Sequence, residues 1–120
     1  IEIIEKHHDQ KIDAPSGTAI TLADQIIGGV NNRKMHWHLG AKESGGKDSD
    51  QIVMHSLRGG HIVGEHEVLF IMDNEIVSIK HTALNRRIFA EGAVFCTSFI
   101  ERAKPGLYRI EHVLNKAIYE

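Results

Sequence analysis

The chain has 120 residues, of which 42% are apolar and 25% charged, a composition typical of a soluble globular domain. Its 14 basic and 16 acidic residues give a formal net charge of −2, so charge offers no basis for binding nucleic acid or an anionic membrane. No apolar run approaches the roughly 20 residues of a membrane-spanning helix. The lone cysteine, Cys96, cannot form an internal disulfide and is consistent with a reducing cytoplasm. We therefore expect one globular cytoplasmic domain with neither a nucleic-acid nor a membrane partner.

The chain opens with a predicted strand and a predicted helix. Residues 1–5 read as the strand, and residues 18–27 carry apolar side chains at steps of three and four, which indicates an amphipathic helix. Pro15 disfavours helical geometry at the residue before it, and Ser16 is a favourable N-cap. The glycine pair that follows Ile27 is expected to end the helix.

The rest of the chain is predicted to form four further strands followed by two helices. The predicted elements are strands over 35–39, 51–58, 62–72 and 75–82 and helices over 85–103 and 110–118, with a polar loop over 40–50. In the helix over 85–103, the residues available for a buried side are Ile88, Val94, Phe95, Phe99 and Ile100. The pattern predicts an α+β fold: a mixed β-sheet of about four to five strands with helices packed on one face. Because several strands carry apolar residues on both faces, we expect the other face to be used for oligomerisation.

The connection between the first strand and the first helix concentrates reactive side chains. It contains His7, His8 and Lys11, and it ends in the helix start, where the free N–H groups of Gly17 and Thr18 carry partial positive charge. Such a helix start suits an anion such as a carboxylate, on which Lys11 and a histidine could move a proton. The alternatives are a plain helix cap, a structural histidine pair and a solvated lysine. Only the density of the cluster favours the functional interpretation.

The same segment resembles a family signature. Glu5-Lys6-His7-His8-Asp9-Gln10-Lys11-Ile12-Asp13-Ala14-Pro15-Ser16-Gly17-Thr18-Ala19 meets every fixed position of E-x-H-H-x-x-K-x-D-A-P-S-G-T-A, the pattern of the 4-hydroxy-tetrahydrodipicolinate (dihydrodipicolinate) reductases. The blocks Arg58–His66, Phe89–Ala93 and Lys104–Tyr108 are similar to that family as well. The resemblance is weakest over residues 31–50. Where the family often has an arginine-bearing, glycine-rich loop, this chain offers Lys42 and Lys47, and we assign no role there.

The resemblance implies an activity and a set of site residues. It implies the C-terminal substrate-binding and tetramerisation domain of an NAD(P)H-dependent oxidoreductase. That enzyme converts 4-hydroxy-tetrahydrodipicolinate to tetrahydrodipicolinate in the diaminopimelate route to lysine. The implied catalytic residues are His7, as general acid/base, and Lys11, as proton donor. The implied contacts to the substrate carboxylate are His8, Gly17 and Thr18, and the implied assembly is a homotetramer formed through the sheet.

The expected cofactor, NADH or NADPH, has no binding motif in this sequence. No G-x-G-x-x-G fingerprint follows a strand, so we assign no cofactor-binding residue. The resemblance implies that the cofactor is held mainly by a separate N-terminal Rossmann domain. The chain lacks an initiator Met and begins inside a predicted strand, which we interpret as a fragment that is inactive alone. Residues 1–107 would form the substrate-binding and oligomerisation domain. Residues 108–120 would form a C-terminal helix that returns to the absent domain.

Two other interpretations remain open at this stage. The first is a metal site built from the numerous histidines, although no zinc-type spacing is present and we assign no metal ligand. The residues available for such a site are His7, His8, Asp9, His36, His38, His61, His66 and His81. The second is a binding or assembly module that has no chemistry of its own.

Overall fold

A computed structural model describes residues 1–30, 34–41 and 46–119 of the chain. The elements in chain order are β1 (Glu2–His7), α1 (Gly17–Gly29), β2 (His36–Leu39), β3 (Gln51–Arg58), β4 (Gly64–Ile71), β5 (Ile76–Ala83), α2 (Arg87–Ile100) and α3 (Ile110–Tyr119). The chain divides into two compact units, Ile1–Leu84 and the residues from Asn85 onward. None of the helices in the described ranges is long and apolar enough to cross a membrane.

The first unit is built on a five-stranded mixed sheet with the order β2-β3-β1-β4-β5. The central strand, β1, pairs in parallel with β3 and antiparallel with β4. The outer pairs are β2 with β3, which is parallel, and β4 with β5, which is antiparallel. Four consecutive strands separate α1 from α2 and the sheet is mixed, so the predicted α+β fold is confirmed.

Helix α1 covers one face of this sheet. It buries Ala19 and Ala23 completely, and the absence of larger side chains at these two positions lets the helix axis approach the strands closely. The other buried members of this core are Ile3, Met35, Ile52, Met54 and Val68. The prediction of a helix on one face is therefore confirmed for α1.

The strand register sorts side chains between the covered face and the opposite one, which we call the far face. On β1, Ile3, Glu5 and His7 share the covered face because alternate residues of a strand point the same way. Glu2 and Lys6 lie on the far face.

The far face mixes ion pairs with apolar side chains. Glu65 Oε1 lies 2.6 Å from Lys6 Nζ and 3.1 Å from Lys80 Nζ, and Glu2 Oε2 lies 2.6 Å from His55 Nε2. Ile71, on the same face, is 53% exposed. The far face is thus less apolar than the sequence suggested, and its use for oligomerisation stays a prediction.

Several boundaries differ from those predicted. The strand expected from Ile62 begins at Gly64, because Gly60 has a φ of +49° and Ile62 N–H bonds to the carbonyl of Gly59 in a turn. Helix α1 begins at Gly17 and continues through the glycine pair to Gly29. Helix α2 is shorter than the predicted span over 85–103. Lys42 lies outside the described residues.

The second unit consists of α2 and α3. No side chain of α2 is buried: Ile88 is 48% exposed, Phe95 50% and Val94 69%. The expected buried side of this helix is therefore wrong for the chain as described. The ring of Tyr108 stacks edge-on against Phe99, with centroids 5.1 Å apart. The predicted division at 107/108 concerns packing on another domain, and it stays a prediction.

Candidate functional site

The reactive segment follows the central strand and is fastened to the turn between β3 and β4. Gly59 N–H donates to the carbonyl of His7 at 3.0 Å, and Asp9 N–H donates to the carbonyl of Gly60 at 3.3 Å. Lys11 N–H closes a tight turn by donating to the carbonyl of His8 at 3.2 Å. Backbone hydrogen bonds therefore fix where the cluster leaves the sheet.

The start of α1 has the predicted cap. Ser16 is extended, with φ −65° and ψ 151°, and its Oγ accepts a hydrogen bond from Ala19 N–H at 3.2 Å. A cis peptide bond joins Ala14 to Pro15 just before it. Gly17 and Thr18 are exposed, and within 1–30, 34–41 and 46–119 no acceptor contacts their backbone N–H groups. This helix start can accept an anion.

Glu5 is a completely buried carboxylate beneath the cluster. Its Oε2 accepts hydrogen bonds from His7 Nδ1 at 2.5 Å and from Arg58 Nη1 at 2.8 Å. Its Oε1 accepts from Arg58 Nη2 at 2.7 Å and from Ser16 N–H at 3.2 Å. Burial alone would raise the pKa of Glu5, but hydrogen bonds, led by those from Arg58 and including that from His7, outweigh burial and hold the pKa at about 2. Glu5 is therefore ionised at neutral pH.

His7 lies between Glu5 and a second histidine. Its ring meets that of His66 edge-on, with centroids 5.1 Å apart. It also lies over Gly64, where an added Cβ would stand only 3.3 Å from His7 Nε2. A glycine at this position gives the imidazole room beside the backbone.

His66 links His7 to the helix start. Its Nε2 shares a hydrogen bond with Ser16 Oγ at 2.8 Å. Burial lowers the pKa of His66, and repulsion from His7 and Lys11 lowers it further. A neutral His66 thus lies between His7, the predicted acid/base residue, and the predicted anion site at the helix start. The charge of Lys11 contributes to lowering its pKa.

Lys11 is paired with Asp13. Its Nζ lies 2.7 Å from Oδ1 and 2.8 Å from Oδ2 of that carboxylate. Hydrogen bonding to Lys11 is the main cause that lowers the pKa of Asp13. Among the described residues, the ammonium group is therefore paired with one carboxylate, whose side chain is 62% exposed.

The predicted site residues do not all take part in these contacts. His7 meets His66, and His66 bonds to Ser16, which directly precedes Gly17 and Thr18. The side chain of Lys11 instead contacts Asp13. The backbone of His8 accepts the turn hydrogen bond, while its side chain has no hydrogen bond within the described part of the chain. The roles assigned to all five stay predictions.

Sequence reasoning missed three residues of this arrangement. Glu5, Arg58 and His66 lie in the quoted motif blocks, but none was given a role in the reductase site, and His66 was considered only for the alternative metal site. The available signal was a carboxylate alternating with the buried Ile3 on one strand face, because such a group requires a buried partner.

Metal and dinucleotide sites can be compared with the described residues. No group of three or more His, Cys, Asp or Glu side chains among them could hold a metal ion. The β1–α1 connection contains no glycine between His8 and Ser16, so it does not fit a dinucleotide pyrophosphate. A cavity of about 240 Å³ on the far face is lined by Glu2, His38, Lys47, Gln51 and His55, away from the cluster around His7.

Known proteins match the chain over nearly its whole length. The family model described as "Dihydrodipicolinate reductase, C-terminus" matches residues 1–114. The chain is 47% identical over 114 residues to the 4-hydroxy-tetrahydrodipicolinate reductase of Brachyspira hyodysenteriae, covering 95% of this chain and 49% of that protein. It is 44% identical over 115 residues to the enzyme of the same name from Clostridium tetani, covering 96% and 45%. The chain thus spans about half the length of the curated relatives it matches.

A solved structure agrees with these matches. Dipicolinate-bound dihydrodipicolinate reductase from Paenisporosarcina sp. TG-14 is 35% identical, with a TM-score of 0.68 over 92% of this chain and 43% of that one. The five-stranded mixed sheet, the capped helix start and the family match over residues 1–114 agree with one another. The chain belongs to the dihydrodipicolinate reductase C-terminal family.

Proposed function

We propose that this chain supplies the substrate-binding half of a reductase that converts 4-hydroxy-tetrahydrodipicolinate to tetrahydrodipicolinate, a step of diaminopimelate and lysine biosynthesis. In this reaction the substrate loses water and gains a hydride and a proton. The observation that carries the proposal is the exposed, unpaired start of α1, which lies next to Ser16 and His66 and so within the cluster that contains His7 and Lys11.

The helix start would bind a substrate carboxylate. The N–H groups of Gly17 and Thr18 are free to donate, and the positive end of the helix favours a negative charge. His8 would add a further contact from the beginning of the same connection. A dicarboxylate presents one such group to these amides while its ring extends toward His7.

Two side chains would handle protons. His7 would act as the general acid/base, and its Nε2 is the ring nitrogen left free by the hydrogen bond to Glu5. Lys11, as an ammonium, would donate a proton and stabilise negative charge that develops on the ring during reduction. A substrate carboxylate can compete with Asp13 for this ammonium, because the side chain of Asp13 is 62% exposed and the ion pair is correspondingly weak.

The hydride would come from NADH or NADPH held mainly by an N-terminal Rossmann domain. The described residues of this chain do not fit that role, as the glycine-free β1–α1 connection indicates. We further propose a cytoplasmic homotetramer assembled through the far face of the sheet, where exposed apolar residues such as Ile71 and Ile76 would be buried by another subunit.

The test is a segment exchange. This chain replaces the corresponding 114-residue segment of the Brachyspira hyodysenteriae relative, and loss of nicotinamide absorbance is followed with 4-hydroxy-tetrahydrodipicolinate as substrate. The unexchanged relative and the isolated chain serve as controls. We expect turnover by the hybrid and by the relative, and none by the isolated chain. A well-folded hybrid that leaves NADH and NADPH unoxidised would contradict the proposal.

A further inference from the structure

We propose that Glu5 is a positioning residue that holds the acid/base histidine and the carboxylate-binding helix start in one fixed arrangement. The inference rests on the proposed function and deepens it. Glu5 itself is completely buried beneath the cluster, so its action on a ligand would pass through His7 and Ser16.

The contacts of Glu5 connect elements that are distant in sequence. One oxygen accepts from the His7 ring at 2.5 Å, and the other accepts from the backbone N–H of Ser16 at 3.2 Å. Ser16 caps α1 and directly precedes Gly17. The carboxylate of Glu5 therefore sets the distance between the His7 imidazole and the anion-binding amides. Movement of that carboxylate would displace both.

Arg58 keeps this carboxylate charged and oriented. Its two terminal nitrogens contact the two oxygens of Glu5 at 2.8 and 2.7 Å, a two-point geometry that fixes the carboxylate plane. Arg58 Nη2 also donates to the carbonyl of Asp13 at 2.8 Å, which holds the segment just before the helix start. Charge compensation makes an ionised, buried Glu5 tolerable.

An ionised Glu5 sets the tautomer of His7. A carboxylate only accepts hydrogen bonds, so the Nδ1 atom that faces it must carry a proton. In the neutral ring Nε2 is then unprotonated and available as the base. A glutamine at position 5 can donate from its amide to Nδ1 and would permit the opposite tautomer.

The experiment compares two carboxylate-to-amide substitutions on the same strand. Glu5→Gln removes the carboxylate that contacts His7. The matched control, Glu2→Gln, removes a carboxylate on the far face whose Oε2 lies 2.6 Å from His55 Nε2. Long-range ¹H–¹⁵N spectra at about pH 8.5, where imidazoles are neutral, report the protonated nitrogen of His7. Titration with pyridine-2,6-dicarboxylate reports ligand affinity.

We expect wild type and Glu2→Gln to carry the neutral His7 proton on Nδ1. We expect Glu5→Gln to populate the Nε2-protonated form and to bind the dicarboxylate on the order of tenfold more weakly, although Glu5 does not touch it. A purely structural role would lower the melting temperature while leaving the tautomer and the affinity unchanged well below it. That result would overturn the inference.

Two further measurements keep the inference testable if Glu5→Gln does not fold. If Glu5→Gln does not fold, the double variant Glu5→Gln/Arg58→Gln removes both charges together and should show the same change of tautomer. The tautomer of wild type needs no variant, and a neutral His7 protonated on Nε2 would overturn the inference outright. Failure of wild type to bind the dicarboxylate while His7 shows the expected tautomer would instead count against the proposed function.

Discussion

Lys11 Nζ lies 2.7 Å from Oδ1 and 2.8 Å from Oδ2 of Asp13, so the proposed proton donor is paired with a carboxylate two residues away. Because the side chain of Asp13 is 62% exposed, a substrate carboxylate can replace it as the partner of the ammonium group. We therefore expect Lys11 to contribute directly to turnover and Asp13 to contribute much less.

The first prediction concerns this pair in the hybrid enzyme, in which this chain replaces the corresponding segment of the relative. Lys11→Ala should lower kcat by on the order of 10²- to 10⁴-fold, the usual contribution of a positioned acid or base. Asp13→Asn should reduce kcat much less, because the ammonium remains. Gln10→Ala is the matched control, and we expect nearly unchanged turnover from it. Equal losses from Lys11→Ala and Asp13→Asn would show that the ion pair, not the ammonium, matters.

The second prediction separates chemistry from binding at His7. His7→Ala should lower kcat in the same range of about 10²- to 10⁴-fold, because the remaining groups do not replace an acid/base with a free Nε2. Asp9→Ala, an exposed neighbour, is the control. Steady-state kinetics decide the outcome: a normal kcat with a raised KM would move His7 from acid/base to binding.

The third prediction concerns the anion site and uses the isolated chain. Titration with pyridine-2,6-dicarboxylate should shift the amide resonances of Gly17 and Thr18 most, because these are the unpaired N–H groups at the helix start. The dimethyl ester, which carries no charge, should shift them far less. Shifts concentrated around Lys47 would place the anion site elsewhere.

The fourth prediction follows from the lowered pKa of Glu5. The folded-state pKa of about 2 lies below the ordinary value of about 4.3. The stabilising contribution of Glu5 is therefore fully present above about pH 4.3 and is lost as the pH falls toward 2. Urea unfolding between about pH 7 and pH 2.5 should show a steeper loss of stability for wild type than for Glu5→Gln. Parallel curves for the two proteins would contradict it.

The fifth prediction concerns assembly through the far face. Light scattering on the isolated chain should give a mass several times that of the 13.4 kDa chain at micromolar concentration. Ile71→Lys should dissociate the assembly, because it places a charge among the apolar residues of that face. Ile12→Lys, at a position that is 98% exposed in the connection, is the control. A wild-type mass near one chain would refute assembly through the sheet.

The helix start could be predicted from sequence because its cause is local. Ser16 caps α1 with a side-chain hydrogen bond that spans three residues, and a cap of this kind is encoded in consecutive positions. The buried role of Glu5 could not be read in this way. A glutamate in a strand normally faces solvent, and its partner Arg58 lies 53 residues further along the chain. The prediction that the strand begins at Ile62 was wrong for a related reason. Ile62 and Val63 continue the apolar pattern of β4, but Ile62 belongs to the turn around Gly60.

The central position of β1 has a consequence for how the protein is made. The site depends on closures of 53 residues between Glu5 and Arg58 and of 50 residues between Ser16 and His66. Such closures cost chain entropy before any contact repays it, and they slow folding. During synthesis, β1 leaves the ribosome with two unpaired edges and finds neither neighbour until β3 and β4 have emerged. Among the strands of this sheet, β1 therefore waits longest for a partner during synthesis, and its free edges are open to a chaperone or a competing chain in that interval.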